Sequence, residues 1–286
     1  MLSKFSKLSR WDKPVGTLLL FIPCQWGLFC SDVNLFKYTT LFAIGSIAMR
    51  GAGCTINDLY DIKFDKMVTR TKHRPLASNE LSRNAAILWA GAQSLVGLGV
   101  LYHLPLQAQL ISLSSVPLVL LYPLMKRITH YPQAFLGLAF NYGCLVGYSL
   151  SNSIDSVCGL LYLSGWCWTM VYDTLYAHQD KLDDLVIGVK STAIAFGESK
   201  LPLYLLSTVQ YMCLLSIHSI QGHYLLYYAT CAYLFQNGLI YSTNFNSPES
   251  CKKGFQYSTI TGILVGLGLL HDHLTKNQVE NKINTI

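Results

Sequence analysis

Long uncharged apolar runs recur along this chain, at residues 15–28, 38–49, 109–125 and 156–172. A helix that crosses a bilayer takes about 20 mostly apolar residues, and several such runs in succession leave few soluble folds open. The charge content agrees. Only 13% of the 286 residues are charged and 51% are hydrophobic, where an ordinary soluble domain carries about 25% charge. The chain therefore reads as an all-α, multi-pass membrane protein, with residues 1–286 forming one integral domain. Spans are expected at 15–31, 38–56, 85–103, 107–125, 134–151, 156–177, 201–219, 222–242 and 256–273, nine in all, or eight if one of the short junctions is misread.

Basic residues collect in particular loops. Lys4, Lys7, Arg10 and Lys13 precede the first span; Lys63, Lys66, Arg70, Lys72, Arg74 and Arg83 follow the second. Lys126 and Arg127 follow the fourth, Lys181, Lys190 and Lys200 the sixth, and Lys252 and Lys253 the eighth. Short loops rich in Lys and Arg stay on the cytoplasmic side, so the N-terminus is expected there and the C-terminus on the periplasmic side. The first apolar run starts within 15 residues and no Arg- and Ser-rich transit segment precedes it, which points to a bacterial inner membrane. The nine cysteines include no CxxC pair and fall mostly in apolar runs, as small hydrophobes do. A disulfide framework and a zinc site are therefore not expected. No glycine-rich loop ending in Lys-Ser or Lys-Thr is present, which argues against nucleoside triphosphate hydrolysis, and no nucleic acid is expected as a partner.

Two acidic segments stand out on the basic side. The first, NDLYDIKFD at 57–65, contains Asn57, Asp58, Asp61 and Asp65, with Arg50 two turns earlier. At about 100° per residue all five side chains leave one helix face. The second contains Asp173, Tyr176, Asp180, Asp183 and Asp184, and its carboxylates again share a face. Such groups directed at lipid are costly and tend to line a cavity or meet a partner. Converging carboxylates repel unless a cation lies between them, and an oxygen-only donor set suits Mg²⁺, which completes its shell with water and phosphate. Arg70, Arg74, Lys126, Arg127 and Lys190 lie on the same side, where cationic donors can hold a diphosphate; Lys63, Lys72 and His73 read as ordinary loop charges.

The motifs WDKPVG at 11–16, NDLYDIKFD at 57–65, RTKHRPL at 70–76, YPLMKR at 122–127, DTLYA at 173–177, DKLDD at 180–184 and GVKST at 188–192 resemble the UbiA superfamily of intramembrane aromatic prenyltransferases, above all its 4-hydroxybenzoate polyprenyltransferases. The resemblance implies about nine transmembrane helices around a central cavity, in an isoprenoid-synthase-like arrangement. It implies that Asn57, Asp61, Asp65, Asp173, Asp180 and Asp184 hold Mg²⁺ and the diphosphate, with Asp58 and Asp183 as further motif members. Arg70, Arg74, Lys126, Arg127, Lys190 and Tyr176 would serve the diphosphate, and Arg50 the carboxylate of an aromatic acceptor. The implied reaction joins a polyprenyl diphosphate to 4-hydroxybenzoate, at the ring carbon ortho to the hydroxyl, in ubiquinone synthesis. Haem, homogentisate, dihydroxynaphthoate and sugar phosphates remain open as acceptors. So does a cation-coupled transporter, in which carboxylates near the midplane carry ions. Membrane lipid is an expected partner.

Overall fold

The computed structural model describes residues 2–222 and 224–284, and among them every regular element is an α-helix. In chain order these are α1 (Leu2–Leu8), α2 (Val15–Phe29), α3 (Leu35–Asp65), α4 (Arg83–Tyr102), α5 (Leu106–Ser114), α6 (Val116–Ile128), α7 (Pro132–Tyr148), α8 (Ser156–Ala177), α9 (Lys181–Ile187), α10 (Thr192–Phe196), α11 (Leu201–Gln221), α12 (Leu225–Ser242) and α13 (Pro248–Asn284). Side-chain caps start several of them. Asn34 accepts from the amide of Lys37, Ser82 from that of Ala85 and Asp155 from that of Cys158, each filling one of the free donors at a helix start.

Each expected span falls on a helix or, at 107–125, on a pair of helices. There α5 and α6 are separate, meeting at Ser115, and a proline lies in the first turn of α6. A proline has no N–H to continue the preceding helix. The count of apolar crossings, however, is smaller than expected. Three stretches are long and apolar enough to cross a bilayer by length and composition: Arg83–Tyr102, Leu106–Ile128 and Leu201–Ile220. The reason is position in the bundle. These three turn large apolar side chains outward, such as Leu88, Leu95, Leu110 and Leu205. The inner helices bury their sides in protein and need less apolar length: α2 has 15 residues and α7 has 17, while α3 carries Arg50, Asp58, Asp61 and Asp65.

The main core lies where α2, α7, α8 and α13 meet. Trp26 and Trp168 are fully buried with ring centroids 5.4 Å apart, and Tyr172 packs edge-on against Trp168. Both indole N–H groups are satisfied by α13, Trp26 on the carbonyl of Gly262 at 2.9 Å and Trp168 on that of Ser258 at 3.0 Å. Helices α2 and α7 approach backbone to backbone. A Cβ at Gly27 would stand 2.0 Å from the carbonyl oxygen of Cys144, and one at Gly147 would stand 2.4 Å from that of Cys24. Only glycine fits such a crossing. This frame fixes α8, whose C-terminal end carries half of the polar site.

Candidate active site

Helix α3 runs unbroken for 31 residues, so its acidic residues keep helical spacing to its C-terminal end. Asp58, Asp61 and Asp65 are buried, at 1%, 0% and 6% exposure, and buried carboxylates persist only where cations or donors match them. Each is matched. Nη2 of Arg10 donates to both oxygens of Asp58 at 2.7 Å. Nη1 of Arg74 donates to Asp58 Oδ1 at 3.1 Å and to both oxygens of Asp65 at 3.0 and 2.9 Å. Lys126 from the end of α6 donates to Asp61 Oδ2, and the guanidinium of Arg127 lies 3.6 Å from Oδ1 of the same residue while donating to the carbonyl of Tyr60.

The second acidic segment is split: Asp173 and Tyr176 lie near the end of α8, which stops at Ala177, while Asp180 stands at the N-cap position of the separate α9 that carries Asp183 and Asp184, so the single helix face expected from spacing does not form. Arg70, in the segment after α3, donates through Nε and Nη2 to the two oxygens of Asp180 at 2.8 and 2.5 Å, and through Nη1 to the hydroxyl of Tyr176 at 2.8 Å. Its guanidinium also faces the Tyr176 ring at 5.0 Å, and that ring is braced by Phe255 at 4.5 Å. One residue earlier the amide of Thr69 donates to Asp183 at 2.9 Å. The connection after α3 therefore stitches the two acidic segments together. Gly188 ends α9 at φ +73°, a left-handed turn suited to glycine, and the chain then returns to α6. There the Lys190 amide donates to the carbonyl of Lys126 at 2.9 Å. The return is secured by the Thr192 amide on Gln133 at 3.0 Å and by the Thr174 and Thr192 hydroxyls at 2.7 Å.

Burial, reinforced by the charge of Asp180 and partly offset by Lys126 and Arg70, pushes the Asp184 carboxyl up to about 7. Two residues before Asp180, the His178 ring stacks on Phe245 at 3.9 Å, and burial followed by the Lys181 charge takes it down to about 4. It stays neutral near pH 7.

Of the residues expected from sequence, Asp58, Asp61, Asp65, Asp180 and Asp183 come together with Arg70, Arg74, Lys126, Arg127 and Tyr176. Asp173 lies within electrostatic range of Arg50 and Arg70. The Arg50 guanidinium packs over Phe140 at 5.3 Å and against Gly16, where a Cβ would come within 2.6 Å of it, and its Nε is buried with no hydrogen-bond partner. Lys190 departs from expectation: its ammonium donates to the carbonyl of Ile128 at 3.0 Å and meets no carboxylate among the described residues. Arg10 and Thr69 contact acidic residues of the cluster although the sequence assigns them no role, since a base ahead of the first span looks like any positive-inside charge. Tyr122, within electrostatic range of Asp173, Arg50 and Asp61, carries no pattern that sets it apart from other aromatics.

The donors suit a hard divalent cation in kind. Asp61 Oδ1 is buried without a hydrogen bond, and Asn57, Asp173 and Asp184 make no side-chain hydrogen bond among the described residues. These are oxygen donors without His or Cys, the set that Mg²⁺ takes. As arranged, no three acidic, His or Cys side chains among the described residues converge closely enough to hold an ion, and side-chain cations carry the neutralising charge. A depression of about 340 Å³ lies outside this cluster, bordered by Glu198, Lys200, Asn244 and Phe245.

Comparison with known proteins follows the same lines. Residues 20–260 match the UbiA prenyltransferase family. The 4-hydroxybenzoate polyprenyltransferase, mitochondrial, of Drosophila pseudoobscura pseudoobscura is 45% identical over 97% of this chain and 72% of its own length. The human protein of that name is 42% identical over 99% of this chain and 81% of its own length. A UbiA homolog from Archaeoglobus fulgidus bound to GPP and Mg²⁺ superposes with a TM-score of 0.70 at 18% identity, covering 94% of this chain and 99% of that one; at that identity the likeness is one of fold. The mitochondrial relatives overturn the expectation of a bacterial inner-membrane protein. That expectation rested on how soon the first apolar run begins, and where a sequence begins does not report a compartment.

Proposed function

Because the chain belongs to the UbiA prenyltransferase family, we propose that it transfers a polyprenyl group from polyprenyl diphosphate to 4-hydroxybenzoate in ubiquinone synthesis. The observation that carries this reading is the pair of arginines from the segment after α3, Arg74 bonded to Asp65 of the first acidic segment and Arg70 to Asp180 of the second. They present fixed cations where a diphosphate leaving group needs charge. Lys126 and Arg127 add charge at Asp61, and Tyr176 sets the orientation of Arg70.

Asn57, Asp61, Asp65, Asp173, Asp180 and Asp184 are the oxygen donors that would hold Mg²⁺, with Asp183 nearby and Asp58 committed to Arg10 and Arg74. Bound there, Mg²⁺ supplies Lewis-acid stabilisation of the charge that grows on the departing diphosphate. The bond between the allylic carbon and the diphosphate oxygen breaks, and the ring carbon ortho to the phenol hydroxyl bonds to that allylic carbon. The ring then loses its proton and diphosphate is released. Arg50, with its unpartnered Nε facing the interior, fits the acceptor carboxylate. Lys190 serves by tying the chain after α9 to the end of α6.

In this reading residues 1–286 form one integral domain, with α2, α3, α4, the α5–α6 pair, α7, α8, α11, α12 and α13 as nine crossings. The outward apolar faces of α4 and α11 meet lipid, where the prenyl tail also partitions at about 0.8 kcal/mol per methylene. Membranes containing the protein, given labelled polyprenyl diphosphate and a panel of aromatic acceptors, are expected to prenylate 4-hydroxybenzoate in the presence of Mg²⁺. Labelling of homogentisate or dihydroxynaphthoate alone would overturn the assignment.

A further inference from the structure

The segment between α1 and α2, to which the sequence assigns no role, reaches the buried Asp58 through Arg10. Leu8 is fully buried, Phe5 packs on Trp89 at 4.9 Å, and the Ser9 hydroxyl accepts from Trp89 Nε1 at 2.7 Å and from Gln93 Nε2 at 2.9 Å. Arg10 follows with φ +59°, a left-handed backbone that side-chain-bearing residues seldom adopt. From there Nη1 of Arg10 donates to the carbonyl of Lys7 at 2.6 Å, and Nη2 to both oxygens of Asp58 at 2.7 Å.

Asp58 is thus filled twice by Arg10 and once by Arg74, and is 1% exposed. Arg74 is gripped through one nitrogen. Its Nη1 serves Asp58 and Asp65 together, while its Nε and Nη2 have no hydrogen-bond partner among the described residues. Those two donors form the edge that can receive a planar pair of phosphate oxygens. The direction of that edge depends on how Asp58 and Asp65 share Nη1. Without Arg10, Asp58 is a buried carboxylate whose one remaining cation is Arg74, and the attraction draws the guanidinium away from Asp65.

We propose that Arg10 is a positioning residue: by neutralising Asp58 it leaves Arg74 balanced between Asp58 and Asp65, with its free edge turned to the diphosphate of the prenyl donor. The proposal rests on the prenyltransferase reading above, and it assigns Asp58 to the support of Arg74 instead of to a metal ion.

The test uses the full-length protein in membranes or detergent, with two readouts: steady-state transfer, and binding of a prenyl thiolodiphosphate, which binds without reacting. Arg10→Ala is expected to raise KM for the prenyl diphosphate at least tenfold and to weaken thiolodiphosphate binding by a similar factor. KM for 4-hydroxybenzoate should stay within twofold of the parent. Arg10→Lys, which keeps the charge and loses the two-pronged contact, should fall between. The decisive variant is Arg10→Ala with Asp58→Asn, because removing the orphaned charge frees Arg74 to return to Asp65; most of the lost donor affinity should come back. Lys4→Ala, which removes an exposed 3.7 Å pair with Glu80, should change neither readout. Loss of activity on adding Asp58→Asn would overturn the proposal in favour of a metal-ligand role for Asp58. Equal changes in both KM values would overturn it in favour of general destabilisation. If the parent protein failed to prenylate 4-hydroxybenzoate at all, the functional reading would fall, while thiolodiphosphate binding would still decide the role of Arg10.

Discussion

Arg70 spends all three of its guanidinium nitrogens on the second acidic segment, two on Asp180 and one on Tyr176. Charge-assisted hydrogen bonds are worth roughly 1.5–3 kcal/mol each, and a lysine offers a point charge in place of the planar fork. Arg70→Lys is therefore expected to lower kcat/KM for the prenyl diphosphate by about ten- to a hundredfold, read by steady-state kinetics; a change under threefold would remove Arg70 from the site. Asp184 is half-buried, and that partial burial, together with the charge of Asp180, raises its carboxyl to about 7. A proton there competes with a divalent cation, so Mg²⁺ affinity should weaken about tenfold for each pH unit below about 7 and level off above it. Asp184→Asn should flatten that slope in a Mg²⁺ titration. Linkage sets the sign for the metal-free protein. A carboxyl raised from 3.8 to about 7 contributes stability that is full below pH 3.8 and is lost as pH rises through about 7.

At the scale of elements, the crossing of α2 and α7 decides whether α8 is held where its last turn can meet the segment after α3. Gly27 leaves no room for a Cβ against the Cys144 carbonyl, whereas a Cβ at Gly53 on α3 meets nothing within 4 Å. Gly27→Ala should destabilise by about 1–3 kcal/mol through overpacking, seen as earlier thermal unfolding in detergent. Gly53→Ala should be neutral or gain up to about 1 kcal/mol from helix propensity. Equal behaviour of the two variants would mean that the close crossing is not a determinant of stability.

For the molecule as a whole, the outward faces are those of a bilayer protein. Leu88, Leu95, Tyr102, Leu110 and Leu205 are each more than half exposed, as side chains that meet lipid are. Leu95, near the middle of α4 and 69% exposed, makes the test. Leu95→Arg should penalise insertion by about 2.5–3.5 kcal/mol, lowering the membrane-extracted fraction, while Leu95→Phe should leave it unchanged. If the arginine variant inserts normally, that face does not meet lipid.

Much of this was legible along the chain. Apolar runs located the helices, with α8 at 156–177 as expected, because a segment that must satisfy its own backbone in lipid has little choice but helix. Helical spacing likewise placed Asp58, Asp61 and Asp65 on one face, since that periodicity is local; it failed for Asp173, Asp180 and Asp184, because α8 stops at Ala177 and Asp180 starts a second helix. The partners of those carboxylates were a different matter. That Arg10 meets Asp58 across 48 residues, that Arg70 reaches Asp180 across 110, and that Lys190 turns to a carbonyl in place of a carboxylate are outcomes of packing, fixed by where α2 and α7 cross and how the chain returns after Gly188. The number of strongly apolar crossings was settled the same way, because a helix enclosed by its neighbours no longer needs the hydropathy that lipid demands. Sequence by itself determined the helices and the acidic face of α3, through interactions a few residues apart; only the tertiary structure chose which charges face one another, since that pairing depends on distances between helices that no local pattern encodes.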